Sequence, residues 1–287
     1  MASNISKVLQ VIDHSRDSAG CVYVYPVVSR RAGGVSVGVN LNPNNACNWR
    51  CVYCQVPDLI RGGAPQIDLD LLESELRGLL NDIVHGDFMQ TRVPAEARRL
   101  NDVAFSGNGE PTSSLQFLSC VERVGSVLKA FDLIGKIKLV LISNGSQLDR
   151  QQVQAGIALM RDLGGEVWFK LDRAPVDGFA PVNQVQLKRA QVARRLQLAA
   201  KYCPTWIQTC MFEMDGALPD EQAISAYLDF LQSNIQAGVR LEGVLLYGLA
   251  RPSMQPEADR LKAAPIEWMQ KLAQRITGLG LEVKLSL

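Results

Sequence analysis

The sequence predicts an α/β fold in which six β-α units form a partial (β/α)6, TIM-like barrel, with a short N-terminal β-hairpin extension. Two observations carry this prediction. Apolar runs of strand length alternate with segments whose apolar residues recur at helical spacing, and strands that alternate with helices form parallel sheets. Residues 137–143 are apolar almost without interruption, which is typical of a parallel strand buried on both faces.

The elements are predicted in a regular order along the chain. Residues 22–28 and 35–39 form the hairpin, which leads into the first barrel strand at 36–41. The later strands are predicted at 102–107, 137–143, 166–172, 205–213, 241–248 and 281–287. The helices lie between them, and the clearest covers 68–85, with Asp68 as N-cap and Gly86 just past its end. Six units make about three-quarters of a closed eight-unit barrel.

The composition predicts one main globular domain, with an N-terminal extension at 1–34 and the barrel at 35–287. The chain has 287 residues, of which 47% are hydrophobic, enough to bury a core without disulfides. A formal net charge of +1 does not require a nucleic-acid partner. Residues 1–20 lack a signal-peptide pattern and no apolar run is long enough to cross a membrane, so we expect a cytoplasmic protein without a membrane partner.

Three cysteines, Cys47, Cys51 and Cys54, follow the first barrel strand with CxxxCxxC spacing. In such barrels, chemistry occurs at the C-terminal ends of the strands, where this loop lies. Thiolates are soft ligands that suit both iron–sulfur clusters and zinc, and the spacing alone does not fix the metal. Three ligands leave a reactive cluster one open position, whereas a structural zinc site needs a fourth ligand, such as the distant Cys21.

Further polar motifs follow the next strands: FSGNGEPT at 105–112, ISNGS at 142–146, KLD at 170–172 and LYGLARP at 246–252. The glycines allow a close approach of the backbone, and Glu110 offers an acceptor for an ammonium group. Lys170 lies on a strand whose alternate residues point into the barrel. There it either pairs with a carboxylate or remains a solvated lysine at the end of the strand.

Together these motifs resemble those of the radical S-adenosylmethionine (SAM) superfamily, over about residues 36–287. They are most similar to the group that contains the wybutosine-synthesis enzymes, which modify tRNA. The second, N-terminal cysteine cluster of that group is missing, because only Cys21 precedes the motif here. This departure argues against the pyruvate-condensing reaction of those enzymes.

The resemblance implies that Cys47, Cys51 and Cys54 bind a [4Fe–4S] cluster whose open iron holds SAM. It implies an electron donor of the flavodoxin or ferredoxin type. It also implies a set of SAM contacts, in which a tyrosine lies near the adenine and polar strand-end residues bind the ammonium, ribose and carboxylate. These residues are Tyr53, Asn108, Gly109, Glu110, Ser143, Asn144 and Lys170.

We therefore expect a radical SAM enzyme that abstracts hydrogen from an RNA nucleoside or a small metabolite. The catalytic residues stay unknown, with Lys170, Asp172 and Arg251 as candidates. Arginines at this rim suit a carboxylate or phosphate, although for both Arg251 and Arg173 a surface ion pair is the better prediction. Residues 173–184 are a candidate lid. Two alternatives stay open: an activase or peptide-modifying radical SAM enzyme, and a non-catalytic zinc or cluster-binding module that binds no SAM.

Overall fold

A mostly parallel half-barrel sheet forms the centre of the computed structural model, which describes residues 8–9, 20–29, 33–174 and 178–287. Its strands run in the order β1-β2-β5-β6-β7-β8-β9-β11, and β10 pairs with β8. The strands are β1 (Val24–Ser29), β2 (Gly34–Val39), β3 (Ala46–Cys47), β4 (Ile60–Arg61), β5 (Leu100–Phe105), β6 (Lys138–Ser143), β7 (Glu166–Lys170), β8 (Thr205–Met214), β9 (Gly243–Gly248), β10 (Leu261–Ala263) and β11 (Glu282–Ser286).

Helices connect successive parallel strands, as the alternating pattern predicts. They are α1 (Leu69–His85), α2 (Phe88–Arg92), α3 (Phe117–Ala130), α4 (Gln151–Asp162), α5 (Phe179–Asn183), α6 (Arg189–Tyr202), α7 (Glu221–Gln236) and α8 (Ile266–Thr277). The N-cap of α1 is the predicted one, since the Asp68 side chain accepts hydrogen bonds from the backbone N–H groups of Asp70 and Leu71. The predicted partial barrel of six β-α units is confirmed, and β11 follows the last unit as an edge strand.

The N-terminal hairpin is also confirmed, with one difference in its second strand. β1 and β2 pair in antiparallel fashion, from Val24 opposite Val39 to Ser29 opposite Gly34. β2 is itself the first barrel strand, because its other edge pairs in parallel with β5. The hairpin and the barrel therefore share one strand. Most of the predicted extension at 1–34, and residues 175–177 of the predicted lid, lie outside the described residues.

Alternate strand residues divide between two apolar clusters on opposite faces of the sheet. One set packs in the main core together with the apolar faces of the helices, as Phe105 and Leu141 do. The other set forms a smaller cluster on the inner face of the half-barrel, made of Ala104, Val140, Trp168, Trp206 and Leu245. This division follows from the two-residue period of a strand. It leaves the polar residues at the strand ends on the inner, concave side.

Several short elements were not predicted. β3 and β4 pair within the cysteine loop, with Cys47 opposite Arg61, and β10 adds an antiparallel strand to the end of β8. Between β7 and β8, the short α5 precedes the long helix α6, which begins at Arg189. Elements of two to five residues are too short for a periodic signal, so tertiary contacts decide them. No helix in the described part of the chain is long and apolar enough to cross a bilayer.

Candidate active site

A cavity of about 290 Å³ opens on the inner face of the half-barrel, at the C-terminal ends of the strands. Its wall includes all three cysteines of the loop, Cys47, Cys51 and Cys54. Other predicted site residues line the same cavity: Tyr53, Asn108, Gly109, Glu110, Asn144, Lys170 and Arg251. Ser143 and Asp172 are fully buried and do not line it. The structure thus gathers residues from five separate motifs around one cavity.

Hydrogen bonds reach two of the three cysteine sulfurs. The backbone N–H of Trp49 donates to Cys47 Sγ at 3.5 Å, and Asn183 Nδ2 donates to Cys51 Sγ at 3.2 Å. Burial raises the pKa of Cys47 to about 11. It raises the pKa of Cys51 to about 12, although the positive charge of Lys170 opposes this shift. Both thiols are therefore protonated at neutral pH, and binding a metal there must release protons.

The cysteines share the cavity wall without forming a compact cage. Among the described residues, no three His, Cys, Asp or Glu side chains lie close enough together to hold a metal ion. The spacing predicted that Cys47, Cys51 and Cys54 converge on a single centre, and in this structure they converge on a cavity instead. A cluster of several irons needs sulfur ligands further apart than a single ion does, since the iron atoms lie between them.

The segment after β9 forms hydrogen bonds with the cysteine loop. Arg251 donates from NH1 to Gln55 Oε1 at 2.9 Å, and Ser253 Oγ donates to the carbonyl of Val52 at 2.7 Å. Arg251 also lines the cavity. Its guanidinium thus contacts an amide of the cysteine loop, and the expected surface ion pair stays a prediction. This contact places a guanidinium at the mouth of the cavity.

Glu110 joins the ends of β5 and β6 through its carboxylate. Oε1 accepts hydrogen bonds from Ser143 Oγ at 2.7 Å and from the backbone and hydroxyl of Thr112 at 3.2 and 2.5 Å. Oε2 accepts the backbone N–H of Asn144 at 2.7 Å. Burial raises the pKa of Glu110 above its ordinary value, and these hydrogen bonds partly oppose the shift. The residue predicted to bind the SAM ammonium is thus already a bridge between two loops.

The GNGEPT loop and the cysteine loop approach each other closely at Gly109. A Cβ atom on Gly109 would lie 2.1 Å from the carbonyl oxygen of Ala46 and 2.7 Å from the side chain of Asn42, so only glycine fits. The neighbouring Asn108 donates from Nδ2 to Asn45 Oδ1 at 2.6 Å. Its own Oδ1 is buried and has no hydrogen-bond partner among the described residues.

Lys170 and Tyr53 form the side of the cavity next to Cys51. The Lys170 ammonium lies 5.1 Å from the centre of the Tyr53 ring, within the range of a cation–π contact, and donates to Tyr247 Oη at 3.4 Å. Burial lowers the pKa of Lys170, but the acidic groups around it, Tyr247, Asp172 and Cys51 among them, raise it above its ordinary value. Lys170 is therefore a charged cation facing the cavity.

Two charged residues of the predicted rim are buried rather than exposed. The Asp172 carboxylate accepts hydrogen bonds from Tyr53 Oη at 2.5 Å and from the backbone of Cys210 at 2.9 Å. Arg173 is 7% exposed, and its NH1 donates to the carbonyls of Asp172 and Cys210 at 2.7 and 3.0 Å. The expectation of a surface ion pair for Arg173 is wrong. Its guanidinium donates to two carbonyls that lie beyond the end of β7, where the pairing between β7 and β8 has stopped.

The sequence analysis missed two polar residues of this region, Asn183 and Gln208. Gln208 is 1% exposed, lines the cavity, and has a buried Oε1 without a hydrogen-bond partner in the described part of the chain. One signal for it was available, since a glutamine at the centre of the apolar run 205–213 predicts an inward polar side chain. Asn183 lies in a short segment that carries no recognisable pattern.

Known structures with the same fold include two that cover most of this chain. The structure of TYW1 with a lysine–pyruvate adduct bound matches 86% of this chain and 74% of that one, with a TM-score of 0.56 and 14% identity. A radical SAM methyltransferase from Sphaerobacter thermophilus matches 88% and 66%, with a TM-score of 0.56 and 13% identity. The chain therefore shares its predicted partial-barrel fold with these two proteins, one of which is a radical SAM methyltransferase.

The sequence relatives match a smaller part of this chain than the known structures do. The UPF0026 protein MJ1312 of Methanocaldococcus jannaschii is 30% identical over 165 residues, which is 55% of this chain and 43% of that protein. A protein named GTPase Obg from Brachyspira hyodysenteriae is 26% identical over 163 residues, 55% of this chain and 20% of that protein. The chain thus spans less than half the length of these curated relatives. No protein-family profile matches it.

Proposed function

We propose that this chain is a radical SAM enzyme whose cluster is held by Cys47, Cys51 and Cys54. One observation carries the proposal. The three cysteines line a single cavity at the C-terminal edge of the half-barrel, together with residues of the GNGEPT, KLD and LARP motifs. In barrels of this kind that edge is where the chemistry occurs. The fold, shared with a radical SAM methyltransferase, supports the same reading.

The residues present fit a [4Fe–4S] cluster. Three thiols offer three soft ligands and leave one iron open for SAM, and hydrogen bonds from Trp49 and Asn183 already point at two of the sulfurs. When bound, the cluster supplies the electron that cleaves SAM into methionine and a 5′-deoxyadenosyl radical, which removes hydrogen from the substrate.

The other residues of the cavity bind and orient SAM. The methionyl part of SAM carries a carboxylate and an ammonium, and the cavity offers a partner for each. Lys170 supplies a positive charge for the carboxylate. Asn108 and Glu110, which line the cavity, take the ammonium in this proposal, and Gly109 lets their loop pack closely against the cysteine loop. Tyr53 packs beside them, with its ring against Lys170.

The substrate class in this proposal is an RNA nucleoside or a small metabolite. The cavity extends inward from the cysteines to Asp102, Trp168 and Gln208, so there is room below the cluster for a compact group. A recessed cavity also limits the access of water to the radical. The electron donor in this scheme is a flavodoxin or ferredoxin. An activase or peptide-modifying enzyme would need the same cluster but a peptide in the cavity.

Anaerobic reconstitution tests the proposal. The protein is loaded with iron and sulfide and reduced with dithionite, its EPR spectrum is recorded with and without SAM, and 5′-deoxyadenosine is followed by chromatography. We expect a [4Fe–4S] signal that shifts with SAM, slow release of 5′-deoxyadenosine, and loss of both in Cys51→Ala. Protein that holds zinc, with no response to SAM, would instead support the structural-module alternative.

A further inference from the structure

Asn183 contacts the cysteine loop from the C-terminal end of α5. Its side chain is fully buried, and its Nδ2 atom donates to Cys51 Sγ at 3.2 Å and to Asp172 Oδ2 at 2.9 Å. None of the motifs of the sequence includes this residue. Among the described residues it is the one side chain recorded as donating a hydrogen bond to a cysteine sulfur of the loop, so its role toward Cys51 can be tested separately.

The position of Asn183 is fixed by its own backbone. The N–H of Arg50 donates to the Asn183 carbonyl at 3.3 Å, and the N–H of Val52 donates to the Val182 carbonyl at 2.9 Å. These two bonds tie the end of α5 to both sides of Cys51. The amide of Asn183 therefore moves with the cysteine loop and keeps its distance from the sulfur.

The orientation of the amide is fixed as well. Asp172 Oδ2 also accepts the hydroxyl hydrogen of Tyr53, and Asp172 Oδ1 accepts the backbone N–H of Cys210, so the carboxylate is held from two sides. A carboxylate accepts hydrogen bonds and cannot donate them when ionised. The NH2 end of Asn183 must therefore face Asp172 and Cys51, with one hydrogen for each.

We propose that Asn183 is a positioning residue that raises the reduction potential of the cluster bound through Cys51. The inference rests on the proposed function. Reduction adds one negative charge to the cluster, and an N–H group directed at a ligating sulfur stabilises the more negative state more strongly. Hydrogen bonds to the sulfurs are among the factors that set the potentials of such clusters, and outer partners of ligands tune metal sites in general. Asp172 contributes by holding the donor in place.

The test compares reduction potentials in two matched variants. Asn183→Leu keeps the approximate volume and removes the donor, and Asn234→Leu is the control. Asn234 is a second buried asparagine, on α7, whose Nδ2 donates to the Phe230 carbonyl at 2.7 Å. Each protein is reconstituted to equal iron and sulfide content, and its midpoint potential is measured by EPR during an anaerobic redox titration. The measurement needs neither substrate nor turnover.

We expect Asn183→Leu to lower the reduction equilibrium constant about tenfold, a shift of about 59 mV to more negative potential for a one-electron couple. Asn234→Leu should keep the wild-type potential. If leucine prevents loading of the cluster, Asn183→Ser replaces it, because serine is small and too short to reach both partners, and it should shift the potential in the same direction.

A wild-type potential in whichever Asn183 variant loads its cluster would overturn the inference, and the proposed function would stand. Failure of the wild-type protein to assemble any cluster would instead reject the proposed function, before Asn183 is considered. An equal shift in Asn234→Leu would also count against Asn183, because it would show that the loss of a buried amide anywhere in the fold changes the potential.

Discussion

Glu110→Gln separates two roles that one glutamate can have in this site. The carboxylate accepts four hydrogen bonds, three at Oε1 and one at Oε2. A glutamine in its best orientation keeps its oxygen at the Oε1 position and places its NH2 group against the backbone N–H of Asn144. Two donors then face each other, and a hydrogen bond to a charged acceptor, worth about 1.5–3 kcal/mol, is lost.

The expected cost is therefore about 2 kcal/mol of folding free energy in the cluster-free protein. Removing a buried charge returns part of the loss, because burial disfavours the ionised form of Glu110. For domains of 150–250 residues, 1 kcal/mol corresponds to roughly 2–4 °C in Tm, which gives a decrease of about 4–8 °C. Urea unfolding followed by circular dichroism measures the free energy, and Glu122→Gln, on the exposed side of α3, is the control.

The result distinguishes a structural bridge from a pure ligand contact. If Glu110 only bound the SAM ammonium, Glu110→Gln would lower the affinity for SAM and would leave the free energy of unfolding of the cluster-free protein unchanged. A change of less than about 0.5 kcal/mol in Glu110→Gln, the range of ordinary surface substitutions, would refute the bridging role. Loss of stability together with loss of SAM binding would show that the same carboxylate serves both.

Three further changes test the site. Cys51→Ala should lose the bound iron after reconstitution, measured by iron and sulfide assays, while the buried Cys120→Ala keeps it; equal iron in both would exclude Cys51 as a ligand. Gln208→Leu should raise the free energy of unfolding by about 1 kcal/mol, because a buried oxygen without a partner is removed. A large decrease in that free energy would instead show that the Gln208 side chain has a hydrogen-bond partner in the folded protein. Gly109→Ala should lower the free energy of unfolding by about 1–3 kcal/mol, because the added methyl group meets the cysteine loop. Gly78→Ala is the control, since a methyl group there meets nothing within 4 Å, and it should leave the free energy of unfolding in urea unchanged or raise it.

The sequence predicts the barrel well because each element is long enough to repeat its pattern. The continuous apolar run that becomes β6 and the capped helix α1 are examples, and both begin within a residue or two of the predicted positions. β10 shows the opposite case, since its three residues carry no periodic signal and it exists through its pairing with the end of β8. Whether β10 forms therefore depends on the position of the end of β8.

The site was predicted from its motifs, and the motifs do not show which partner a polar side chain takes. Lys170 faces the cavity from an alternating strand, as its position indicates. Asp172 and Arg173 follow it in sequence, yet neither lines the cavity. Asp172 accepts the backbone N–H of Cys210 in β8, and Arg173 donates to the carbonyls of Asp172 and Cys210. The contacts with Cys210 join residues 37 and 38 positions apart in the chain, so no local pattern contains them.

The hydrogen bonds of the strand ends suggest which residues remain for a ligand. The cysteine loop covers the open end of the half-barrel, and the backbone donors beneath it need acceptors. Glu110 and Asp172 supply them, at Asn144 and Cys210, so both carboxylates already have partners in the protein alone. The buried oxygens of Asn108 and Gln208 do not have such partners among the described residues. An unpaired buried oxygen costs free energy, so a ligand that makes either side chain turn and that donates to its oxygen would gain affinity. Under the proposed function, substitution of Asn108 or Gln208 should therefore change the affinity for SAM or substrate.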